Sequence, residues 1–232
     1  MRQDCASALC NMTACVGYES SIIKEGVVKA LTVLGLVRSS DDTITRKCVF
    51  KALYNLLSAA TNEGSAKTMV EEGVVWGLAH LANLDHETKK LCASALSNLA
   101  LYQGGRDNIA QKDCLRIILE LSRERSADIR QSCARCLYNL TCLSEGKHAP
   151  VLAKEQGVRT LTMLSNIDDA KTKEMCAAVL CTIACTESVA MQVLTEGGLN
   201  CLTTFAGLGP NALGTTHSWN IKRYVRISIC LS

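Results

Sequence analysis

The sequence predicts an all-α fold, a solenoid of stacked three-helix units. Three observations predict it. One motif recurs five times in phase, a glycine-bearing corner recurs between its copies, and the composition suits close-packed helices. Only 4% of the 232 residues are aromatic and 2 are proline, while 48% are hydrophobic, mostly small or medium side chains. An all-β fold calls for more aromatic and turn residues.

The motif sets the period. Five segments align without gaps: Cys5-Ala-Ser-Ala-Leu-Cys-Asn11, Val49-Phe-Lys-Ala-Leu-Tyr-Asn55, Cys92-Ala-Ser-Ala-Leu-Ser-Asn98, Cys133-Ala-Arg-Cys-Leu-Tyr-Asn139 and Cys176-Ala-Ala-Val-Leu-Cys-Thr182. Their last residues lie 41 to 44 positions apart, and an apolar residue follows each one. Such a fixed period marks a repeat architecture. Counted from the last residue of each segment, positions −6, −5, −3, −2 and +1 are apolar or small in every copy. That stripe is too wide for one surface helix, so each unit must stack on the next.

The other elements follow in chain order within each unit. A short helix ends at a corner reading Lys24-Glu-Gly-Val-Val28, Glu71-Glu-Gly-Val-Val75, Glu155-Gln-Gly-Val158 and Thr195-Glu-Gly-Gly-Leu199, which decays to Gln111-Lys-Asp-Cys-Leu115 in the third interval. Glycine there takes the left-handed cap conformation without a Cβ penalty. A second apolar helix is expected over 27–36, 74–84, 115–121, 158–164 and 199–205. An acidic turn then opens the long third helix at Asp41-Asp42, Asp85, Asp128 and Asp168-Asp169. Aspartate is a natural N-cap and suits the positive helix end. Arg46, Lys89 and Lys173 stand four residues after an acid, a favourable helical spacing.

These features resemble the armadillo repeat family. Ala52-Leu-Tyr-Asn-Leu56 and Ala95-Leu-Ser-Asn-Leu99 look like its third-helix motif, and the Glu-x-Gly-Val corner and the period match too. HEAT repeats are the nearest rival, but they rarely carry this asparagine. The resemblance covers residues 3 to 206 and implies a right-handed α-solenoid. The expected organisation is a repeat array over 1–206: a partial unit 1–16, units at about 17–60, 61–102, 103–143 and 144–186, and a partial unit 187–206. A non-repeat tail occupies 207–232. Its Gly207–Gly214 stretch reads as a loop ending the array, and its basic, β-branched end departs from the repeat grammar. The chain opens almost inside a third helix, which leaves Cys5, Ala6, Ala8, Leu9 and Met12 expected to be uncovered and suggests a piece of a longer array.

Function is expected to lie in binding. The resemblance implies that Asn11, Asn55, Asn98 and Asn139 line the inner face of the superhelix as a peptide-binding groove. An amide offers one acceptor and two donors, so a ladder of them can clamp the main chain of an extended segment. The rival role is hydrogen bonding within the solenoid, and Thr182 breaks the ladder in the fifth copy. Lys51 and Arg135, four before their asparagines, share that face one turn back. Lys47 and Lys90, eight before, are near it, and Tyr54 and Tyr138 border it. A partly basic groove favours an acidic segment by charge complementarity, although Glu87, Asp128 and Glu174 dilute it. Nuclear-import members of the family carry a tryptophan four before each asparagine. Here Ser7, Lys51, Ser94 and Arg135 stand there, so a receptor for nuclear localisation signals is not expected.

Other chemistries are set aside. Cys5, Cys92, Cys133 and Cys176 fill one repeated slot, and Cys136 stands where other copies have alanine, so Cys133 and Cys136 are small core residues rather than a zinc knuckle. The 14 cysteines of this helical chain do not form a secreted disulfide scaffold. His80, His86, His148 and His217 share no spacing and no nucleophile partner. The glycosylation-like Asn11-Met-Thr13 and Asn139-Leu-Thr141 fall inside packed helices. No enzyme, metal, cofactor or small-molecule substrate is expected. The net charge of +3 shows no clustered basic face for nucleic acid, and no apolar run is long enough to span a membrane. With no signal-like start, the expected address is cytoplasm or nucleus. A structural spacer, or an accessory module of a larger protein such as a ubiquitin ligase or a ciliary or cytoskeletal scaffold, is the alternative function.

Overall fold

A computed structural model of the chain describes residues 1–15, 17–36, 43–59, 63–82 and 85–205. The expected Asp41-Asp42 cap, the last residues of the 74–84 helix, His217 and the 207–232 tail lie outside the described residues. Those residues hold fifteen α-helices and no strand. The chain divides into two compact units, Met1–Cys114 and Leu115–Ser232.

The first unit contains α1 (Arg2–Thr13), α2 (Glu19–Lys24), α3 (Val27–Leu36), α4 (Thr43–Ala59), α5 (Glu63–Glu71), α6 (Val74–Leu81), α7 (His86–Leu99) and α8 (Gln103–Ile109). The helix α9 (Lys112–Leu121) runs through the boundary. The second unit continues with α10 (Ala127–Cys142), α11 (Ala149–Lys154), α12 (Gly157–Ser165), α13 (Ala170–Ala184), α14 (Ala190–Thr195) and α15 (Gly198–Phe205). From α4 to α13 each long helix is preceded by two shorter ones. Within the first unit α4 packs against α1, α3 and α7, and within the second α13 packs against α10, α12 and α15.

The repeated stripe forms the core of the long helices. In α4 it is Val49, Phe50, Ala52, Leu53 and Leu56, none more than 1% exposed. The corresponding five residues of α7, α10 and α13 are equally buried, including Cys92, Cys133, Cys136 and Cys176 at 0%. Each large apolar side chain so buried contributes roughly 1.5–3 kcal/mol. Burial also pushes the Cys133 thiol up to about 12 and raises that of Cys176, which keeps both protonated and inert. In α1, Ala6 is buried, but Cys5 and Ala8 are exposed and Met12 is 52% exposed.

The corners differ from expectation in register. Gly26, Gly73 and Gly197 take the left-handed conformation. Before α12, however, the left-handed residue is Gln156, at φ 66°, and Gly157 is already helical. Gly157 serves closeness instead: a Cβ there would land on the Leu152 side chain and carbonyl. The third interval, with no glycine, simply starts its helix earlier, at Lys112. The corner glutamates tie neighbours together. Glu72 accepts from the Lys29 amide at 3.2 Å, Glu196 from the Arg159 amide at 3.2 Å, and Glu155 from Arg116 Nε at 2.9 Å. Glu72 and Glu196 reach the first turns of α3 and α12, where free amides and the helix dipole favour a carboxylate, whereas Glu155 takes a side chain one turn inside α9.

Candidate functional site

Asp85 and Asp169 cap α7 and α13 as their sequence positions suggest. Asp85 accepts from the Thr88 amide at 2.8 Å and hydroxyl at 2.7 Å. Asp169 accepts from the Thr172 amide at 2.8 Å and from its hydroxyl. The α10 cap is Ser126 and not Asp128, which sits inside the first turn, and the serine side chain makes no cap bond. The expected partner of Lys173 also shifts: its ammonium meets Asp168 at 3.6 Å, on the surface.

These caps decide the role of the residues eight before the ladder. Lys47 Nζ lies 2.6 Å from Asp85 Oδ2, bridging α4 to the start of the next long helix. In the second unit Gln131, at the same position of α10, reaches Asp169 at 3.5 Å. Both pairs are 38 residues apart. Lys47 and the Thr88 donors hold the Asp85 carboxyl well below the usual carboxylate range. The Thr172 hydroxyl, foremost, lowers that of Asp169. Sequence reasoning missed this use of Lys47. The recurring separation of a polar residue and a cap aspartate was the available signal. Lys90 is half-buried.

The ladder residues are spread over the two units. In the first unit Asn11 is exposed, and Asn55 and Asn98 are half-buried. Asn55 Nδ2 donates to Thr13 Oγ1 of α1, a long contact at 3.5 Å. In the second unit Asn139 is only 5% exposed. Thr182, the fifth ladder position, donates to the Ala178 carbonyl at 2.9 Å and meets Cys142 Sγ at 3.4 Å. Thr13 and Cys142 both belong to the preceding long helix. Both therefore show the ladder position leaning toward its neighbour in the stack. One turn back, Lys51 and Arg135 are exposed, and Tyr54 and Tyr138 are half-buried.

Among the described residues no group of three side chains could hold a metal ion, and no helix is long and apolar enough to cross a membrane. The polar groups of the long helices are amides, hydroxyls, cations and the carboxylates Glu87, Asp128 and Glu174, suited to hydrogen bonding and charge pairing.

Solved structures share this arrangement over nearly the whole chain. A crystal structure of an engineered protein superposes with a TM-score of 0.77 at 21% identity, covering 99% of this chain and 91% of that one. A computationally designed armadillo repeat protein for modular peptide recognition gives 0.77 at 14% identity, covering 99% and 92%. This is the armadillo repeat fold. A further designed armadillo repeat protein, solved with the peptide (KR)4, has a TM-score of 0.74 at 14% identity, covering 97% and 90%. No protein-family model and no curated protein matches the sequence. The armadillo likeness is thus one of fold.

Proposed function

We propose that the chain is a non-catalytic interaction scaffold that holds an extended segment of a partner protein against its long helices. The carrying observation is the partition of residues on α4 and α7. Five positions of each helix are buried, while Asn55 and Asn98 are only half-buried. An amide at that position can exchange hydrogen bonds with a peptide main chain. Lys51 in the first unit and Arg135 in the second are exposed cations one turn from their own ladder asparagines, and each favours an acidic residue of a ligand at its own helix. Lys47 contributes less to that preference, since Asp85 already neutralises it. The designed protein solved with (KR)4 is a precedent for a peptide ligand on this fold, and its basic peptide makes ligand charge the variable to test.

The experiment is fluorescence anisotropy with extended octapeptides of acidic, basic and neutral composition. The protein is compared with Asn55→Ala/Asn98→Ala and with Lys51→Glu, each first shown to be helical by circular dichroism. The proposal expects binding of the acidic peptide, lost in the double variant and weakened by Lys51→Glu. Preference for the basic peptide would overturn the charge assignment. Binding that survives the double variant would overturn the amide role.

A second reading has its own support. The Asn55–Thr13 contact and the burial of Asn139 favour a ladder that holds the stack together. The chain would then be a structural spacer or an accessory module of a larger protein. Under that reading Asn55→Ala and Asn139→Ala lower stability and no peptide binds.

A further inference from the structure

Away from the long helices, the second unit contains a cavity of about 350 Å³ lined by Arg123, Gln156, Arg159, Thr160 and Met163. Arg123 belongs to the turn after α9, and the other four belong to the α12 cap and its first two turns. No residue of α10 or α13 lines it among the described residues, so it is separate from the ladder. Its size falls at the lower end of small-ligand pockets.

The charges at this cavity are unbalanced. Arg123 and Arg159 are exposed, and neither forms an ion pair among the described residues. Among the described residues no carboxylate lines the cavity. Glu155 is held by Arg116, and Glu196 accepts from the main-chain amide of Arg159 and not from its guanidinium. Two guanidinium groups therefore border one open cavity without a carboxylate between them. Guanidinium presents a planar fork that matches an oxyanion, and two of them match a group carrying nearly two negative charges. A phosphate monoester is that group, whereas a single carboxylate neutralises only one arginine. Met163, 39% exposed, supplies an apolar wall for the atoms that carry the phosphate, and Gln156 supplies a further exposed donor.

We infer that this cavity is a phosphate-binding site that receives a phosphorylated serine or threonine of a partner segment. Arg123 and Arg159 clamp the phosphate, and Met163 packs against the adjoining residue. The site does not depend on the ladder face, so it holds whether or not that face binds a peptide.

Isothermal titration calorimetry on the whole chain tests it, with inorganic phosphate, a phosphoserine pentapeptide and its unphosphorylated counterpart as probes. The expected result is binding of the phosphopeptide and not of the serine peptide, with inorganic phosphate weaker. Arg123→Gln and Arg159→Gln are each expected to weaken the phosphopeptide by about tenfold or more, because a charge-assisted hydrogen bond is lost. Arg125→Gln, an exposed control outside the cavity lining, is expected to change it less than about twofold. All three positions are at the surface, and circular dichroism verifies that the variants fold. Equal binding of both peptides, or a phosphopeptide affinity unmoved by both cavity variants, overturns the site. Binding of inorganic phosphate without the phosphopeptide overturns its assignment to a protein segment.

Discussion

Replacing Asp85 separates its two structural roles, helix cap and ion-pair partner. In Asp85→Ala the acceptor for the Thr88 amide and hydroxyl disappears, and so does the anion facing Lys47. Loss of an N-cap costs about 1 kcal/mol, and a surface pair adds at most about 1 kcal/mol, so the total is about 1–2 kcal/mol. The pair belongs at the low end, because its side chains are 47% and 34% exposed. Asp85→Asn keeps an acceptor oxygen and removes only the charge, so it costs about 0.5 kcal/mol. The pH dependence has a definite sign. The folded carboxyl titrates below its unfolded value, so its contribution is complete above about pH 5 and is lost as pH falls through the carboxylate range. Urea unfolding followed by circular dichroism at pH 7 and pH 3 measures all three proteins. The gap between the natural chain and Asp85→Asn is expected to narrow at pH 3. Equal destabilisation by Ala and Asn, or a gap that does not change with pH, refutes this division of roles. Lys47→Met completes the cycle: it lowers stability by at most about 1 kcal/mol, and its effect largely vanishes in the Asp85→Asn background.

Two adjacent glycines of α8 should respond oppositely to alanine. A Cβ at Gly105 would land on the Leu99 carbonyl, so Gly105→Ala is expected to cost about 1–3 kcal/mol in thermal or urea unfolding. A Cβ at Gly104 meets nothing within 4 Å, so Gly104→Ala should add up to about 1 kcal/mol. Gln156→Gly relieves a side chain at positive φ and should raise stability by up to about 1 kcal/mol, read from the urea midpoint. Iodoacetamide at pH 8, followed by peptide mass spectrometry, should label the exposed Cys5, Cys15 and Cys185 and spare Cys133 and Cys176 until the chain is unfolded. Labelling of Cys133 in the native protein would contradict the packing of its slot.

The fold was legible because its main signal is local. The spacing of apolar residues within one helix names the buried face without any knowledge of neighbours, and Phe50, Leu96, Cys136 and Leu180 all lie where that spacing puts them. Caps were partly legible: Asp85 and Asp169 close their own first turns through threonines three residues on. The corner before α12 was misplaced by one residue. A glycine can serve either a left-handed φ or a close approach, and the sequence does not distinguish them, so Gln156 took the first role and Gly157 the second. Lys47 was misjudged for another reason. Its partner is distant in sequence, and a pattern read along one helix cannot see a side chain that reaches the next helix start. Of the candidate face, the residue positions were legible and their exposure was not. Asn55 and Asn139 share a motif yet differ in burial.

Stacking and ligand binding are not exclusive uses of the ladder asparagine, because the amide has capacity for both. It carries two N–H donors and an oxygen with two lone pairs. In Asn55 one donor is directed at Thr13 Oγ1, across the gap between α4 and α1. That contact is long and weak, yet it orients the side chain. The oxygen and the second N–H then remain for a peptide unit, which presents the complementary N–H and C=O. A conservative change exposes the distinction. Thr13→Val removes the acceptor from α1 while keeping shape, so under the binding reading it loosens the amide's orientation and weakens peptide affinity with little effect on stability. Under a purely structural ladder, the same change acts on stability alone.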